Sequence, residues 1–459
     1  MTDGGALHDF LPPALLESYK NAIKLICSSS GGVRVISHYD ADGISAGAVI
    51  CAALMRERIE FQLSITRVLD ESKISELGKE DADAFIFCDM GSGQMDIVEK
   101  ELGSRKVVVI DHHAPLRTSD SVHQINPHFA KIDGMSEACA ATLSFLFAIG
   151  INAKNWDTAH IAFAGAIGDK QHLGGFKGLN ASLLEAAVGM KIIAVSRDLL
   201  LDPLPLAEAV SESLDPYFTG LAGRPDEAAS FLSKSGIDPN ALVSELTHEQ
   251  KTHLTSVLTL KLLSQGARGD PVMGLVAERY ISTDTGTDVR EISNYINACG
   301  RMGREDIAIG YCLGDPESQK EAHDIRKEYR EKVRRGLVEI ERDGTKILNN
   351  LQYFYSPEPT IAGSQAGLAM MFFLDQSKPV LALSRAGTVV RVSSRGTQDL
   401  VEKGLDLAAT CRNAALSVSG QGGGHRIAAG ATIPIEKEQE FLERMDELIG
   451  KQISKPDDG

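Results

Sequence analysis

Short runs of β-branched and aromatic residues alternate along the first part of the chain with stretches whose apolar residues recur at helical spacing. Residues 33–37, 84–88 and 106–110 are such runs, which are typical of central strands in a parallel sheet. Helical patterns follow the first two runs, at 44–58 and 94–101. The alternation predicts an α/β fold in which an open, mostly parallel sheet carries helices on both faces.

The pattern changes in the middle of the chain. Residues 191–265 carry helical spacing broken by several prolines and show no strand rhythm, and a short strand is predicted at 273–277. Residues 317–342 form one long, charged pattern without proline, which predicts a connector helix. A second, smaller α/β domain should follow, with strands at 380–383, 389–393 and 428–433 and helices at 366–372, 400–410 and 438–449.

These patterns predict four segments. They are a first α/β domain, a mostly helical middle region, a connector helix and a second α/β domain, at 1–200, 201–315, 316–345 and 346–459. A chain of 459 residues is too long for one hydrophobic core, so more than one domain is expected on length alone.

Composition favours a soluble protein of a reducing compartment. No apolar run approaches the roughly 20 residues that a membrane span needs, and the first residues lack the basic start of a secretory signal. The seven cysteines are odd in number and show no CxxC pair, and four of them, Cys51, Cys88, Cys139 and Cys299, stand in apolar or small-residue stretches and are expected to be buried thiols. We therefore expect a cytoplasmic location and no membrane partner.

The net charge of −16 argues against broad, nonspecific binding to duplex nucleic acid, because neutralising phosphates requires Lys and Arg. It does not exclude a local basic channel. Residues 326–335 are rich in Arg and Lys but are interleaved with Glu. A solvated helix face with ion pairs four residues apart is the favoured interpretation of that stretch.

Acidic residues follow the first predicted strand, in Ser-His-Tyr-Asp-Ala-Asp-Gly at 37–43. His38, Asp40 and Asp42 alternate, so in an extended segment their side chains face the same side. Such a group suits a metal site, since carboxylates are rarely buried without a cation or a partner. The alternative is a strand-to-helix turn in which Asp40 or Asp42 caps the following helix.

Further acids follow the other two strands. Asp89 comes directly after the run at 84–88, Asp111-His112-His113 follow the run at 106–110, and Asp169 ends a later helical pattern. Ligands gather at the carboxyl ends of parallel strands in open sheets, so we expect these side chains to converge.

The mixture of ligands indicates the metal. Carboxylates with few imidazoles and no thiolate cluster are unlike zinc sites, and purely magnesium sites seldom use histidine. Mn²⁺ accepts both donor types, and Mg²⁺ is the alternative. Four Asp and two His suffice for two ions about 3.5–4 Å apart, an arrangement that hydrolyses phosphoesters.

These residues resemble motifs I to IV of the DHH phosphoesterases, and 422–425 (Gly-Gly-Gly-His) resemble the signature of their C-terminal accessory domain, DHHA1. Residues 297–301 (Asn-Ala-Cys-Gly-Arg) are similar to a stretch of the RecJ branch. Over most of its length the chain resembles archaeal-type RecJ-like single-strand exonucleases. His38 stands where many bacterial RecJ proteins have Asp, and no oligonucleotide-binding barrel is recognisable.

The resemblance implies a role for each residue. One ion would be held by His38, Asp40 and Asp89, and the other by Asp42, Asp89, His112 and Asp169. The residues with an implied catalytic role are Asp89, Asp111 and His113, of which His113 would contact the scissile phosphate or the leaving group. Substrate would be bound by Arg301, Arg395, Gly422, Gly423, Gly424 and His425.

The function that follows is a Mn²⁺-dependent exonuclease acting 5′ to 3′ on single-stranded DNA or RNA, its direction being implied by the resemblance alone. Two alternatives stay open. One is a hydrolase of short oligonucleotides or cyclic dinucleotides. The other is a replication scaffold with weak or no nuclease activity, because archaeal relatives can bind the GINS complex.

Overall fold

The computed structural model describes residues 5–453, which belong to two compact units. Of the described residues, the first unit contains those up to Arg197 together with Glu278–Lys327, and the second contains Asp198–Ala277 together with those from Glu328 onward. None of the helices in the described part of the chain is both long enough and apolar enough to cross a membrane. All seven cysteines are free thiols.

A five-stranded parallel sheet forms the centre of the first unit, in the order β2-β1-β3-β4-β5. Its strands are β1 (Val33–His38), β2 (Phe61–Thr66), β3 (Ala84–Cys88), β4 (Lys106–Ile110) and β5 (His123–Ile125). The three strands predicted from apolar runs are the three central ones, and these predictions are confirmed. The pattern did not predict β2 and β5, the edge strands, because they are partly exposed or very short.

Helices cover both faces of this sheet, as the alternation predicts. One face of the sheet carries Phe85, Phe87, Val107 and Val109, which pack against apolar residues of the helices at Glu71–Leu77 and Met95–Leu102. Three helices contact the strands on the other face of the sheet, at Pro13–Cys27, Ala41–Arg56 and Ala140–Ile151. The helices up to residue 189 are α1 (Gly5–His8), α2 (Pro13–Cys27), α3 (Ala41–Arg56), α4 (Glu71–Leu77), α5 (Met95–Leu102), α6 (Ala140–Ile151), α7 (Ala159–Gly168) and α8 (Gly178–Gly189).

The middle of the chain is mostly helical, but it contains two strands that form a small sheet, β6 (Ile193–Leu199) and β7 (Val276–Ser282). The expectation that 191–265 lacks strands is therefore wrong at β6, where four consecutive exposed residues hide the strand pattern. The strand predicted at 273–277 begins only at Val276. The helices here are α9 (Leu206–Glu212), α10 (Pro225–Lys234), α11 (His248–Ser264), α12 (Asp270–Met273), α13 (Val289–Arg301) and α14 (Glu305–Cys312).

The long helix predicted at 317–342 is confirmed as α15 (Pro316–Asp343). A six-stranded mixed sheet follows in the second unit, in the order β12-β13-β11-β10-β9-β8. Its strands are β8 (Lys346–Ile347), β9 (Gln352–Tyr355), β10 (Val380–Ala386), β11 (Val389–Arg395), β12 (Gln421–Gly424) and β13 (Ala428–Pro434).

Four helices accompany this sheet: α16 (Pro359–Phe372), α17 (Gln398–Glu402), α18 (Leu407–Ser417) and α19 (Glu438–Ile453). The single helix predicted at 400–410 is divided into α17 and α18. The division lies at Gly404, whose φ of 101° no helix interior adopts. The α/β character of this domain is as predicted.

Candidate metal centre

The end of β1 and the start of α3 bring the first acidic cluster to the carboxyl edge of the sheet. Asp40 is the N-cap of α3, and its Oδ1 accepts a hydrogen bond from the Gly43 N–H at 3.0 Å. Its Oδ2 lies 3.1 Å from the Nδ1 of His38. The capping and metal-binding interpretations of Asp40 are therefore compatible, because each uses a different oxygen.

Asp42 lies in the first turn of α3 and is buried against the start of α6. Its two oxygens accept hydrogen bonds from the N–H groups of Ala140 (2.8 Å) and Ala141 (2.9 Å). These are unpaired donors at the positive end of that helix. Burial and the nearby charge of Asp89 nevertheless raise the pKa of Asp42 to about 8.

Asp89 follows β3 and has a left-handed backbone, with φ of 60°. Its Oδ2 lies 3.1 Å from His38 Nδ1, and its Oδ1 lies 3.3 Å from His112 Nε2. Among the residues that the structure describes, none donates a well-formed hydrogen bond to this buried Oδ1. A buried carboxylate oxygen without a donor is costly in itself and fits a position that faces a cation.

His112 is oriented by a backbone carbonyl. Its Nδ1 lies 2.6 Å from the carbonyl oxygen of Gly134, which fixes Nδ1 as the protonated nitrogen. Its Nε2 lies 3.3 Å from Asp89 and 3.7 Å from Asp42. Metal-binding histidines usually have this arrangement, in which one nitrogen donates to the protein and the other faces the ion.

Asp111 is hydrogen-bonded to the protein and belongs to none of the potential ligand groups. Its Oδ2 accepts the Ser92 N–H at 2.9 Å, and its Oδ1 accepts the Nδ1 of His113 at 2.8 Å. Burial acts to raise the pKa of Asp111, but the hydrogen bond and charge of His113 lower it below its usual range. Asp111 thus orients the His113 ring.

Asp169 caps the end of α7 and completes the site. Its Oδ2 accepts a hydrogen bond from Nε2 of Gln171 at 2.8 Å and lies 3.8 Å from His112 Nδ1. Burial raises the pKa of Asp169 to about 6. His112 opposes this shift, and the charge of Asp89 adds to it.

Seven side chains form three overlapping groups, in each of which potential ligand atoms lie within 4.8 Å of one another. The groups are His38–Asp40–Asp89, Asp42–His112–Asp169 and Asp89–His112–His113. All six predicted metal ligands are therefore brought together at one sheet edge. Four mutually repelling carboxylates are stabilised by divalent cations, so the donors present fit the ions that the sequence predicts.

Arg301 lies in the first unit, at the end of α13. Its guanidinium donates a hydrogen bond to the Tyr39 hydroxyl at 2.9 Å. Arg67, which the sequence did not indicate, stacks on the same ring at 4.2 Å and donates to the Gly300 carbonyl. Because Tyr39 separates His38 from Asp40, the two arginines lie close to the first ligand group.

The other predicted substrate-binding residues lie in the second unit. Arg395 ends β11 and donates to the Ser394 carbonyl at 2.8 Å. Gly422, Gly423 and Gly424 belong to β12, and His425 follows in a tight turn closed by mutual backbone hydrogen bonds with Ala428. Gly424 has a φ of 140°, which only glycine adopts readily.

Besides Arg67, three residues of the site were not predicted from the sequence: Ser92, Gly134 and Gln171. Each forms a hydrogen bond with a predicted residue. The Ser92 N–H donates to Asp111, and the Gln171 side chain donates to Asp169. The Gly134 carbonyl accepts from His112. None stands in a recognisable metal-binding pattern. Only the proximity of Gln171 to Asp169 along the chain could have drawn attention to it.

Two family models match the chain. Residues 32–167 match the DHH family, N-terminal domain, and residues 350–451 match the DHHA1 domain. An uncharacterized protein of Methanocaldococcus jannaschii is 32% identical over 448 residues, which cover 95% of this chain and 98% of that protein.

Solved structures share the fold. RecJ in complex with Mn²⁺ from Thermus thermophilus superposes with a TM-score of 0.60 and 16% identity, covering 96% of this chain. This chain spans only about half of that protein, 55% of its length. CDC45 from Entamoeba histolytica gives a TM-score of 0.68 and 10% identity, covering 95% and 98% of the two chains. At these identities the likeness shows the fold alone.

Proposed function

The chain belongs to the DHH phosphoesterase superfamily, with a DHH and a DHHA1 domain, and on that premise we propose that it is a RecJ-like, metal-dependent exonuclease. It hydrolyses single-stranded DNA or RNA from the 5′ end. One observation carries the proposal: two of the three overlapping ligand groups share Asp89, and the third joins them through His112, which the buried Oδ1 of Asp89 faces without a well-formed hydrogen bond from any described residue.

We assign His38, Asp40 and Asp89 to the first cation, and Asp42, Asp89, His112 and Asp169 to the second. The cations are two Mn²⁺ ions, with Mg²⁺ as the alternative. When bound, two such ions neutralise charge on the reacting phosphoryl group and make water a better nucleophile. The carboxylate of Asp89 belongs to both sets, so it would be the ligand that the two ions share.

His113 is the residue that we assign to the scissile phosphate or the leaving oxygen. Its ring is fixed by the 2.8 Å hydrogen bond to Asp111, and the Asn126 side chain donates to its backbone carbonyl at 2.9 Å. A held imidazole can give a proton to the oxygen that departs. Asp111 acts through His113 and is a positioning residue.

We assign the binding of substrate phosphates to Arg301 in the first unit and to Arg395, Gly422–Gly424 and His425 in the second. Guanidinium groups bind phosphate through paired N–H donors, and glycine backbone N–H groups approach an anion closely. This assignment is supported by the exposed position of His425 and the partial exposure of both arginines.

The direct test is digestion of end-labelled single strands. A 5′-labelled DNA or RNA oligonucleotide should release labelled mononucleotide from the earliest times with Mn²⁺, while a 3′-labelled strand gives a ladder. Chelator should abolish both. Labelled mononucleotide released first from the 3′ end would contradict the proposed direction, and no product in Mn²⁺ would contradict the activity.

Asp89→Asn is the matching variant, because Asn tolerates the left-handed backbone and removes only the charge. Hydrolysis should fall by at least about 10³-fold, since several kcal/mol of charge stabilisation depend on the bridging ligand. Asp81→Asn removes the same charge from an exposed position before β3, at the opposite end of that strand, and should leave activity unchanged. Near-normal activity of the folded Asp89 variant would refute its bridging role.

Substrate length separates the first alternative, a hydrolase of short oligonucleotides or cyclic dinucleotides. Preference for dimers to pentamers over strands of 20 or more nucleotides would favour it. The second alternative is a replication scaffold that binds GINS, and the shared fold with CDC45 makes a pull-down worthwhile. GINS capture without nuclease activity would favour the scaffold, although the presence of all six expected ligands argues against an inactive site.

A further inference from the structure

Gln171 contacts two features of the candidate metal centre at once. It lies two residues after Asp169, and its side chain is 4% exposed. Its Nε2 lies 2.8 Å from Asp169 Oδ2, 2.9 Å from the Gly134 carbonyl oxygen and 3.2 Å from the Ala138 carbonyl oxygen. One amide nitrogen therefore ties a carboxylate of the site to the loop that precedes α6.

The Gly134 carbonyl is shared with His112. That oxygen accepts one hydrogen bond from Nδ1 of His112, at 2.6 Å, and another from Nε2 of Gln171, at 2.9 Å. Gln171 thus holds Asp169 directly and His112 through a common acceptor. Both side chains belong to the set assigned to the second cation, so this inference rests on the proposed function.

The surroundings permit only one orientation of the amide. With the group turned over, Oε1 would face a carboxylate and two carbonyls, all of which are acceptors. Oε1 instead accepts a hydrogen bond from Nδ2 of Asn180 at 2.7 Å. Asn180 is fully buried, and its backbone N–H donates to the Glu137 carbonyl at 2.9 Å. Asn180 therefore fixes Gln171, which in turn fixes the site.

We propose that Gln171, oriented by Asn180, is a positioning residue for the second cation and not for the first. Among the described residues, its side-chain hydrogen bonds reach only Asp169, Gly134, Ala138 and Asn180. None reaches His38 or Asp40, the residues that belong to the first cation alone. The two ions should therefore respond unequally when the amide is removed.

The test is Mn²⁺ binding to the full chain without substrate, with Gln171→Met as the variant. Methionine keeps the length of the side chain and removes its donors. Calorimetry should show that one binding step weakens by about 10- to 100-fold while the other is unchanged, as expected when a partner of the ligands is lost. At two equivalents of Mn²⁺, the electron paramagnetic resonance signal of a coupled pair should be replaced by that of isolated ions.

Gln124→Met is the matched control. Gln124 is also a buried glutamine of the first unit, and its amide joins the Arg117 carbonyl and the Ser119 N–H at 3.1 and 3.0 Å. Its side-chain hydrogen bonds to described residues do not reach the ligand set, so both binding steps should stay as in the wild type. Asn180→Ala should weaken the same binding step as Gln171→Met. It replaces the methionine variant in this test if that variant does not fold.

Two outcomes would overturn the inference. In one, Gln171→Met binds both ions with wild-type affinity. In the other, both steps weaken equally, which would show that the amide does not act on the second cation alone. A wild-type protein that binds no Mn²⁺ would refute the proposed function itself, and this failure is seen before any variant is made.

Discussion

At the scale of single residues, the sequence was most informative where a functional side chain follows a strand. His38, Asp89 and Asp111 could be placed together because each lies at the end of a parallel strand of the same sheet. The resemblance left Asp111 out of both ligand sets, and the fold gives the physical reason, because its oxygens accept hydrogen bonds from Ser92 and His113. Gln171 escaped notice because two of its partners, Gly134 and Ala138, lie in a loop more than 30 residues earlier in the chain.

His113→Ala tests the distinction between a catalytic residue and a ligand. Loss of a proton donor should lower kcat by about 10²- to 10⁴-fold. Because His113 is assigned to neither cation, the protein should still bind two Mn²⁺ ions by calorimetry.

Loss of a bound Mn²⁺ ion from His113→Ala would contradict this assignment. The potential ligand atoms of His113, Asp89 and His112 lie within 4.8 Å of one another, so the loss of an ion would show that His113 is a metal ligand. Leu116→Ala, an exposed apolar residue three positions later, is the control and should alter neither kcat nor the number of ions.

At the scale of elements, continuous apolar runs predicted β1, β3 and β4, whereas β6 was missed. The central strands are buried on both faces, so hydrophobicity alone reveals them. Strand β6 is exposed over Ala194–Arg197 and pairs with a strand about 80 residues away in sequence, which local patterns cannot show. The same limit hides the contact between the start of α6 and Asp42.

The packing of α7 against α3 and α6 gives a prediction at this scale. A Cβ at Gly165 would lie 2.4 Å from the Ala141 Cβ and 3.0 Å from Asp42 Oδ1. Gly165→Ala should therefore move α7 away from Asp42. It should lower the free energy of unfolding by about 1–3 kcal/mol, measured by urea denaturation, and weaken Mn²⁺ binding.

Gly189→Ala is the control for this substitution. A Cβ at Gly189, the last residue of α8, meets no atom within 4 Å. Alanine there should be neutral or stabilise by up to about 1 kcal/mol, because it restricts the unfolded chain. A Gly165 variant as stable as this control, with Mn²⁺ affinity intact, would show that α7 does not position Asp42.

At the scale of the whole molecule, the charge of −16 coexists with a strongly basic stretch in α15. Within the second unit, Arg330 pairs with Asp202 at 2.9 Å, and Lys332 pairs with Glu358 at 3.1 Å and with Glu328 at 3.2 Å. Only the last of these pairs is of the predicted kind, four residues apart on one helix. These cations are neutralised by carboxylates, so the proposed substrate contacts depend on other residues.

Metal binding should stabilise the protein as a whole. The apo site holds four carboxylates together, and burial with neighbouring charge already raises the pKa of Asp42 and Asp169. Mn²⁺ at about 100 times the Kd of each site should add about 2.7 kcal/mol for each ion bound, and each such increment raises Tm by about 5 to 10 °C in calorimetric scans of a folding unit of about 150–250 residues. Asp89→Asn should show little of this increase, and an equal increase in both proteins would locate the stabilising ions elsewhere.

The central claim is that two divalent cations occupy the carboxyl edge of the first sheet, with Asp89 between them. Anomalous diffraction at the manganese edge, from crystals equilibrated with Mn²⁺, tests it most directly. Our account predicts two peaks about 3.5–4 Å apart, one beside His38 and Asp40 and the other beside Asp42, His112 and Asp169. No peak at this position under saturating Mn²⁺ would contradict it.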